Sequence, residues 1–195
     1  MILHAKAIPQ HLPALKAQIL LSAASSQGKS AAVKKINKSL ANDYKKDLKF
    51  YKGLYKMAKS MSDFYHADPG LFQIKDYTST HVYNGKKYFS VGYDNIYDVP
   101  THSIQKTAAA KTYSLKTGKK LKLTDLIKGS KKTVVKKIYK AQSKEDKSDL
   151  KRYIPNPNKM EFIVKGNKIY ITRYSAALGG LVGGYTFLNP VKIDK

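Results

Sequence analysis

The sequence predicts an α+β fold: an antiparallel sheet of hairpins packed on one long helix, with a second, shorter helix. Apolar residues recur every three or four positions from Lys29 to Lys59, the spacing of one buried helix face. Alternating runs flank Asn84-Gly85 and Gly166-Asn167, as strands joined by tight turns do. The helical segments are inserted at separate points among the hairpins, which argues against a repeating parallel βαβ layout. With 195 residues and neither an internal repeat nor a linker, a single domain spanning residues 1–195 is expected.

Ile2 to Ile8 alternates imperfectly and stops at Pro9, with Pro13 soon after, which suits a first strand closed by residues that cannot donate to a ladder. Lys16 to Ser26 (KAQILLSAASS) imitates a signal peptide, but Gln18 interrupts it and its apolar run falls short of the about 7–15 residues of an export signal. It reads as domain sequence, and an export signal or anchor ahead of Met1 is an expectation that the sequence leaves open.

In the long helix Val33, Ile36, Leu40, Tyr44, Leu48, Tyr51, Tyr55 and Ala58 form the buried face. At about 100° per residue, Lys34, Lys38, Lys45, Lys49, Lys52, Lys56 and Lys59 gather on the opposite side, a lysine stripe. Asp43 and Asp47 lie on or near the apolar face, so few i,i+4 acid–lysine pairs neutralise that stripe. Gly53 sits on the polar side, where a bend is expected because glycine costs about 1 kcal/mol relative to alanine. Ser60 to Gly70, with Asp68-Pro69-Gly70, is expected to end the helix in a turn.

Phe72 to Tyr83 and Lys87 to Tyr93 should form a hairpin about a type I′ turn at Asn84-Gly85, since both residues tolerate positive φ. Ile104 to Leu115 reads as a strand, Thr117-Gly118 as a turn and Lys120 to Leu123 as its return. Ser130 can cap the second helix, running to about Gln142 with Val134, Val135, Ile138 and Tyr139 inward. Pro155-Asn156-Pro157-Asn158 breaks the segment Asp149 to Lys159. Met160 to Val164 and Lys168 to Tyr174 read as another hairpin, and Gly179 to Gly184 (GGLVGG) leads to a final strand near Tyr185 to Leu188.

Charge narrows the function. Lys plus Arg number 37 against 13 acids, a formal charge of +24, and such a field selects anionic partners. All but two of the bases are lysines, the exceptions being Arg152 and Arg173. Lysine is a hydrated point charge, whereas arginine's planar fork reads bases and grips phosphates, so diffuse attraction is favoured over sequence reading. An AT-rich genome enriches Lys, Tyr and Asn together, yet it does not explain why Glu occurs only at Glu145 and Glu161. Tyr88, Tyr93, Tyr97, Tyr174 and Tyr185 are candidate side chains for stacking on sugar rings beside lysine, set against the ordinary preference of tyrosine for half-buried sheets, and His102 is a further candidate ligand-binding residue.

Catalytic signals are sparse. Cysteine is absent, which removes disulfides, thiolate nucleophiles and Cys-ligated zinc. His4, His11, His66, His81 and His102 show no i,i+4 pair. Asp94 and Asp98 in Gly92 to Pro100 (GYDNIYDVP) offer too few oxygens for a calcium loop and read as a capped turn between strands. The Gly179 to Gly184 segment lacks the Gly-Lys-Ser/Thr of a phosphate loop. No catalytic residue, metal or cofactor is expected. No stretch approaches the roughly 20 apolar residues that cross a bilayer, so no transmembrane segment is expected in this chain.

The stretch Tyr113 to Ile127 (YSLKTGKKLKLTDLI), with Ala32 to Leu40 (AVKKINKSL) and Lys168 to Leu188, resembles a bacterial extracytoplasmic domain of unknown function. That domain forms the outer part of lysozyme-sensing anti-sigma factors and stands before the catalytic domain of some peptidoglycan deacetylases. The resemblance implies a non-catalytic domain outside the cytoplasm of a Gram-positive-type bacterium, associated with the wall or membrane through a segment not present here. Two departures matter. The family's Gly-Ala-His-Pro stretch is Asp98-Val99-Pro100-Thr101-His102 here, and its Pro-Tyr element is Ala176-Ala177-Leu178. Lysozyme binding is therefore not carried over, and two strongly basic proteins repel. The expected partner is an anionic cell-wall polymer or membrane surface, with a protein partner as a further candidate. Specific nucleic-acid reading is not expected. Nonspecific nucleic-acid binding and an accessory role beside a peptidoglycan-modifying enzyme are the alternatives.

Overall fold

The computed structural model describes residues 30–66, 75–98, 105–153, 156–172 and 187–195. The expected strand at Ile2 to Ile8, the Lys16 to Ser26 segment and the Gly179 to Gly184 loop lie outside the described residues. The α+β class holds. Helix α1 (Ala31–Tyr65) precedes β1 (Lys75–Asn84), β2 (Tyr88–Asp98) and β3 (Gln105–Ser114). Helices α2 (Leu123–Leu126), α3 (Lys131–Ala141) and α4 (Lys144–Tyr153) follow, then a 3-10 turn at Pro157–Lys159 and strands β4 (Phe162–Lys165), β5 (Lys168–Ile171) and β6 (Val191–Lys192). The strands form two three-stranded antiparallel sheets, β1-β2-β3 and β4-β5-β6, where the sequence suggested one. No helix among the described residues is long and apolar enough to cross a membrane.

Ser30 starts α1 from an extended conformation, its Oγ accepting the Val33 N–H at 3.2 Å, as an N-cap should. Val33, Ile36 and Leu40 bury against Phe89, Val91, Tyr93 and Tyr113 of the first sheet. The helix runs unbroken through Gly53 and ends at Tyr65, not Lys59; His66, at φ 49°, donates its N–H to the Ser62 and Asp63 carbonyls. Ser60 to Tyr65 contains neither Gly nor Pro, so nothing local stops the helix earlier.

The first hairpin forms with its tip displaced. Gly85 N–H donates to the Tyr88 carbonyl at 3.0 Å, so the turn is Lys86-Lys87, and Gly85 does not take positive φ. A turn at Asn84-Gly85 would set Val82 opposite Lys87, whereas the observed register sets Val82 opposite Val91. The apolar cross-strand pair outweighs the local turn preference. Gly92 to Asp98 is likewise not a turn: β2 continues to Asp98, with Asp94 paired to Ser79 on one side and Ala108 on the other. Four residues along a strand separate Asp94 and Asp98 by about 13 Å, too far to share an ion.

The second core gathers Leu126, Val134, Ile138, Phe162, Ile169 and Ile171, among others. Ser130 caps α3 as expected, accepting from Thr133 N–H, and Gly166, at φ 62°, turns β4 into β5. Helix α4 was not expected. Its stretch KEDKSDLKRY is too polar to show an apolar period, yet Ser143 Oγ accepts the Asp146 N–H at 3.1 Å and Leu150 is buried.

A buried relay of hydroxyls joins the two sheets. Ser90 and Thr112 pair across β2 and β3, on the face opposite Phe89, Val91 and Tyr113. Val164 N–H donates to Ser90 Oγ at 2.9 Å, Ser90 Oγ and Thr112 Oγ1 lie 2.8 Å apart, and Thr112 Oγ1 donates to the Phe162 carbonyl at 2.7 Å. Because the Thr112 proton goes to Phe162, Ser90 must donate to Thr112, and every polar atom of the relay is used once. Ser90→Ala and Thr112→Val should each lower stability by about 1–3 kcal/mol, because each strands a buried backbone group of β4. The double variant should lose less than the sum, since the four groups act as a unit. Urea midpoints test this; unchanged midpoints in both single variants would refute the role given to the relay.

Candidate functional site

Because α1 spends one face on the first sheet, its opposite face is left to solvent. Lys34, Lys38, Lys45, Lys49, Lys52, Lys56 and Lys59 are all exposed. They fall within an arc of about 80° and extend over about 38 Å of helix. Lys59 pairs with Asp63 at 3.2 Å, both ends exposed, an i,i+4 contact worth only a few tenths of a kcal/mol. Asp63 escaped the sequence reading because the helix was expected to stop before it. Among the described residues the other six have no ion-pair partner; the remaining pairs are Lys111 with Asp43 and Lys137 with Asp194.

The helix's other acids point inward. Asp43 lies 2.7 Å from Lys111 Nζ of β3, with 21% and 17% of those side chains exposed. Lys111 also stands 5.9 Å from the centroid of the Tyr93 ring. Burial raises the pKa of the Asp47 carboxyl, opposed by Lys111 and reinforced by Asp43. Tyr113 donates to or accepts from Ser39 Oγ at 3.2 Å, and burial pushes its hydroxyl up to about 12.

The tyrosine and histidine candidates do not join the lysines. Tyr93 is 6% exposed and packs beneath α1, so its ring offers no face for stacking on a sugar; burial raises its hydroxyl pKa further than that of Tyr113. Tyr97 pairs through its backbone with Asp76 and Gln105. His102, Tyr174 and Tyr185 lie outside the described residues.

Sequence reasoning missed a cleft of 370 Å³ beside β3, lined by residues including Ala110, Thr112, Lys120, Lys122, Lys159 and Glu161. Glu161 Oε2 accepts the Ala110 N–H at 2.9 Å, closing part of the free edge of β3. Burial raises the Glu161 pKa, offset by that N–H and by Lys120 and Lys111. The scarcity of glutamate was the only signal that could have drawn attention to it. The cleft holds one carboxylate, where acid–base hydrolysis works with two groups placed across the substrate. Among the described residues no three His, Cys, Asp or Glu side chains stand together as a metal site.

The Glu161 shift has a testable sign. A carboxyl whose folded pKa lies above its unfolded value contributes stability that is complete below the unfolded pKa and is lost as pH rises through the folded one. Glu161→Gln keeps an acceptor for Ala110 N–H but does not ionise. As pH rises from about 4.5, wild type should therefore lose stability relative to this variant. Denaturation midpoints of both proteins across that range check it; parallel curves would contradict the assignment.

No protein-family profile matches the chain, and no curated protein matches it. Among solved structures it is similar to a member of the DUF3298 family from Bacteroides fragilis, at 13% identity and a TM-score of 0.48, covering 92% of this chain and 74% of that one.

Proposed function

We propose that the chain is a non-catalytic cell-envelope binding or sensing domain that engages anionic wall polymers, such as teichoic acid, through its basic surface. The observation that carries this reading is the exposed lysine face of α1, free of acids except for Asp63 at its far end. Lysines held on a rigid helix meet a polyanion as spaced point charges and need no deep pocket. The resemblance carried by Tyr113 to Ile127 supports a setting outside the cytoplasm.

Each lysine held near an anionic surface contributes on the order of 1 kcal/mol. Lys49→Gln, Lys52→Gln and Lys56→Gln together should therefore weaken retention on purified Gram-positive walls about a hundredfold. Walls stripped of teichoic acid should retain wild type poorly at physiological salt. Equal retention on stripped and intact walls at low salt would sink the proposal. Preference for DNA over wall polymer in direct competition would favour a nucleic-acid role instead.

A further inference from the structure

The lysine face does not end at the first turn of α1. Gly118, at φ 71°, seats the turn after β3 directly on the helix: a Cβ placed there would come within 2.5 Å of the Ala32 carbonyl oxygen and 2.8 Å of Lys35 Cβ. The same turn is tied to the first hairpin, because Leu115 N–H donates to the Lys87 carbonyl at 2.9 Å. Three segments far apart in sequence thus meet at one pole of the first sheet. They bring Lys34 and Lys35 from the helix, Lys86 and Lys87 from the hairpin tip, and Lys116 and Lys119 from the turn, all exposed.

Among the described residues none of them has an ion-pair partner. Residues 30–42, 84–93 and 105–124 contain no Asp or Glu, and the first turn of α1 has no acid to oppose the positive end of the helix dipole. Like charges gathered this way repel, which destabilises the free protein unless a polyanion spreads over them.

We propose that this pole is a composite binding site for a flexible phosphodiester polymer without bases, continuous with the helix stripe; it rests on the wall-polymer reading above. A flexible chain can follow lysines that come from a helix, a hairpin tip and a turn. Firm seating on a bilayer takes apolar side chains that insert beside the charges, but among the described residues the exposed large apolar side chains, Phe50, Met57, Phe64 and Tyr65, all lie on the far half of α1. Nucleic-acid strands are held partly by base stacking, and the aromatics near the pole, Tyr83, Tyr88, Phe89 and Tyr113, are half-buried or buried.

The test measures binding of the full chain to purified poly(glycerol phosphate) at physiological salt. It compares Lys86→Gln/Lys116→Gln/Lys119→Gln at the pole with Lys49→Gln/Lys52→Gln/Lys56→Gln on the stripe. The pole variant should lose about a hundredfold, roughly fivefold per lysine. Gly118→Ala, which leaves every charge in place but unseats the turn, should also weaken binding; circular dichroism establishes that it folds, and the pole triple variant stands if it does not. Wild-type binding by the pole variant beside a loss in the stripe variant would overturn the composite site and leave the wall-polymer reading intact. Wild-type binding by both variants would overturn both. A pole defect seen with phosphatidylglycerol vesicles or single-stranded DNA but not with poly(glycerol phosphate) would also overturn it.

Discussion

The hydroxyl relay through Ser90 and Thr112 holds the two halves of the described structure in register. An antiparallel strand at the edge of a sheet presents unpaired N–H and C=O groups, and burying them without partners is costly. The exposed edge of β4 is Phe162 and Val164, and the first sheet answers it with two side chains instead of another strand. This forces the composition of β2 and β3. Phe89, Val91 and Tyr113 serve α1 on one face, while Ser90, Gly92, Ala110 and Thr112 occupy the other and stay small enough for β4 to approach. Glu161 extends the same logic in reverse, since a side chain beside β4 closes the free edge of β3.

With both faces of the first sheet spoken for, the protein's charge can go only to the outside of α1, to the loops and to the outer surface of the second half. Between α1 and the first sheet the described structure holds Lys111 and matches it with Asp43. That pair is poorly solvated, so its attraction mainly offsets the cost of burying both ends. Its consequence is orientation: α1 is fixed about its own axis by Asp43 as well as by Val33, Ile36 and Leu40, and the lysine face is fixed with it.

What could be read from the sequence follows the strength of its periods. The apolar stripe of α1, the caps at Ser30 and Ser130 and the Gly166 turn were legible because each depends on residues close together in the chain. The tip of the first hairpin and the continuation of β2 through Asp94 were misread, because local turn formers there yield to long-range pairing such as Val82 with Val91, and α1 runs past Lys59 because nothing in Ser60 to Tyr65 stops a helix. Helix α4 was invisible for a related reason, since one buried leucine and a serine cap give no period. The lysine stripe could be drawn on a helical wheel. The pole could not, because only the seating of Gly118 on Ala32 brings its three segments together.

The placement of the acids supports the proposed binding surface over a merely lysine-rich composition. Compositional bias would leave acids scattered among the surface lysines. Instead Asp43 neutralises Lys111, Asp125 accepts the Lys122 N–H at the start of α2, Glu161 accepts the Ala110 N–H, and Asp194 accepts the Lys128 N–H while pairing with Lys137. Each has structural work away from the face of α1 and from the pole. Only Asp63 stands among the stripe lysines, at its far end. A fold that keeps its carboxylates off so long a lysine surface, setting several of them at a cap, an edge and one interior pair instead, gives up stability through self-repulsion. Under the proposed function, a bound polyanion would recover it.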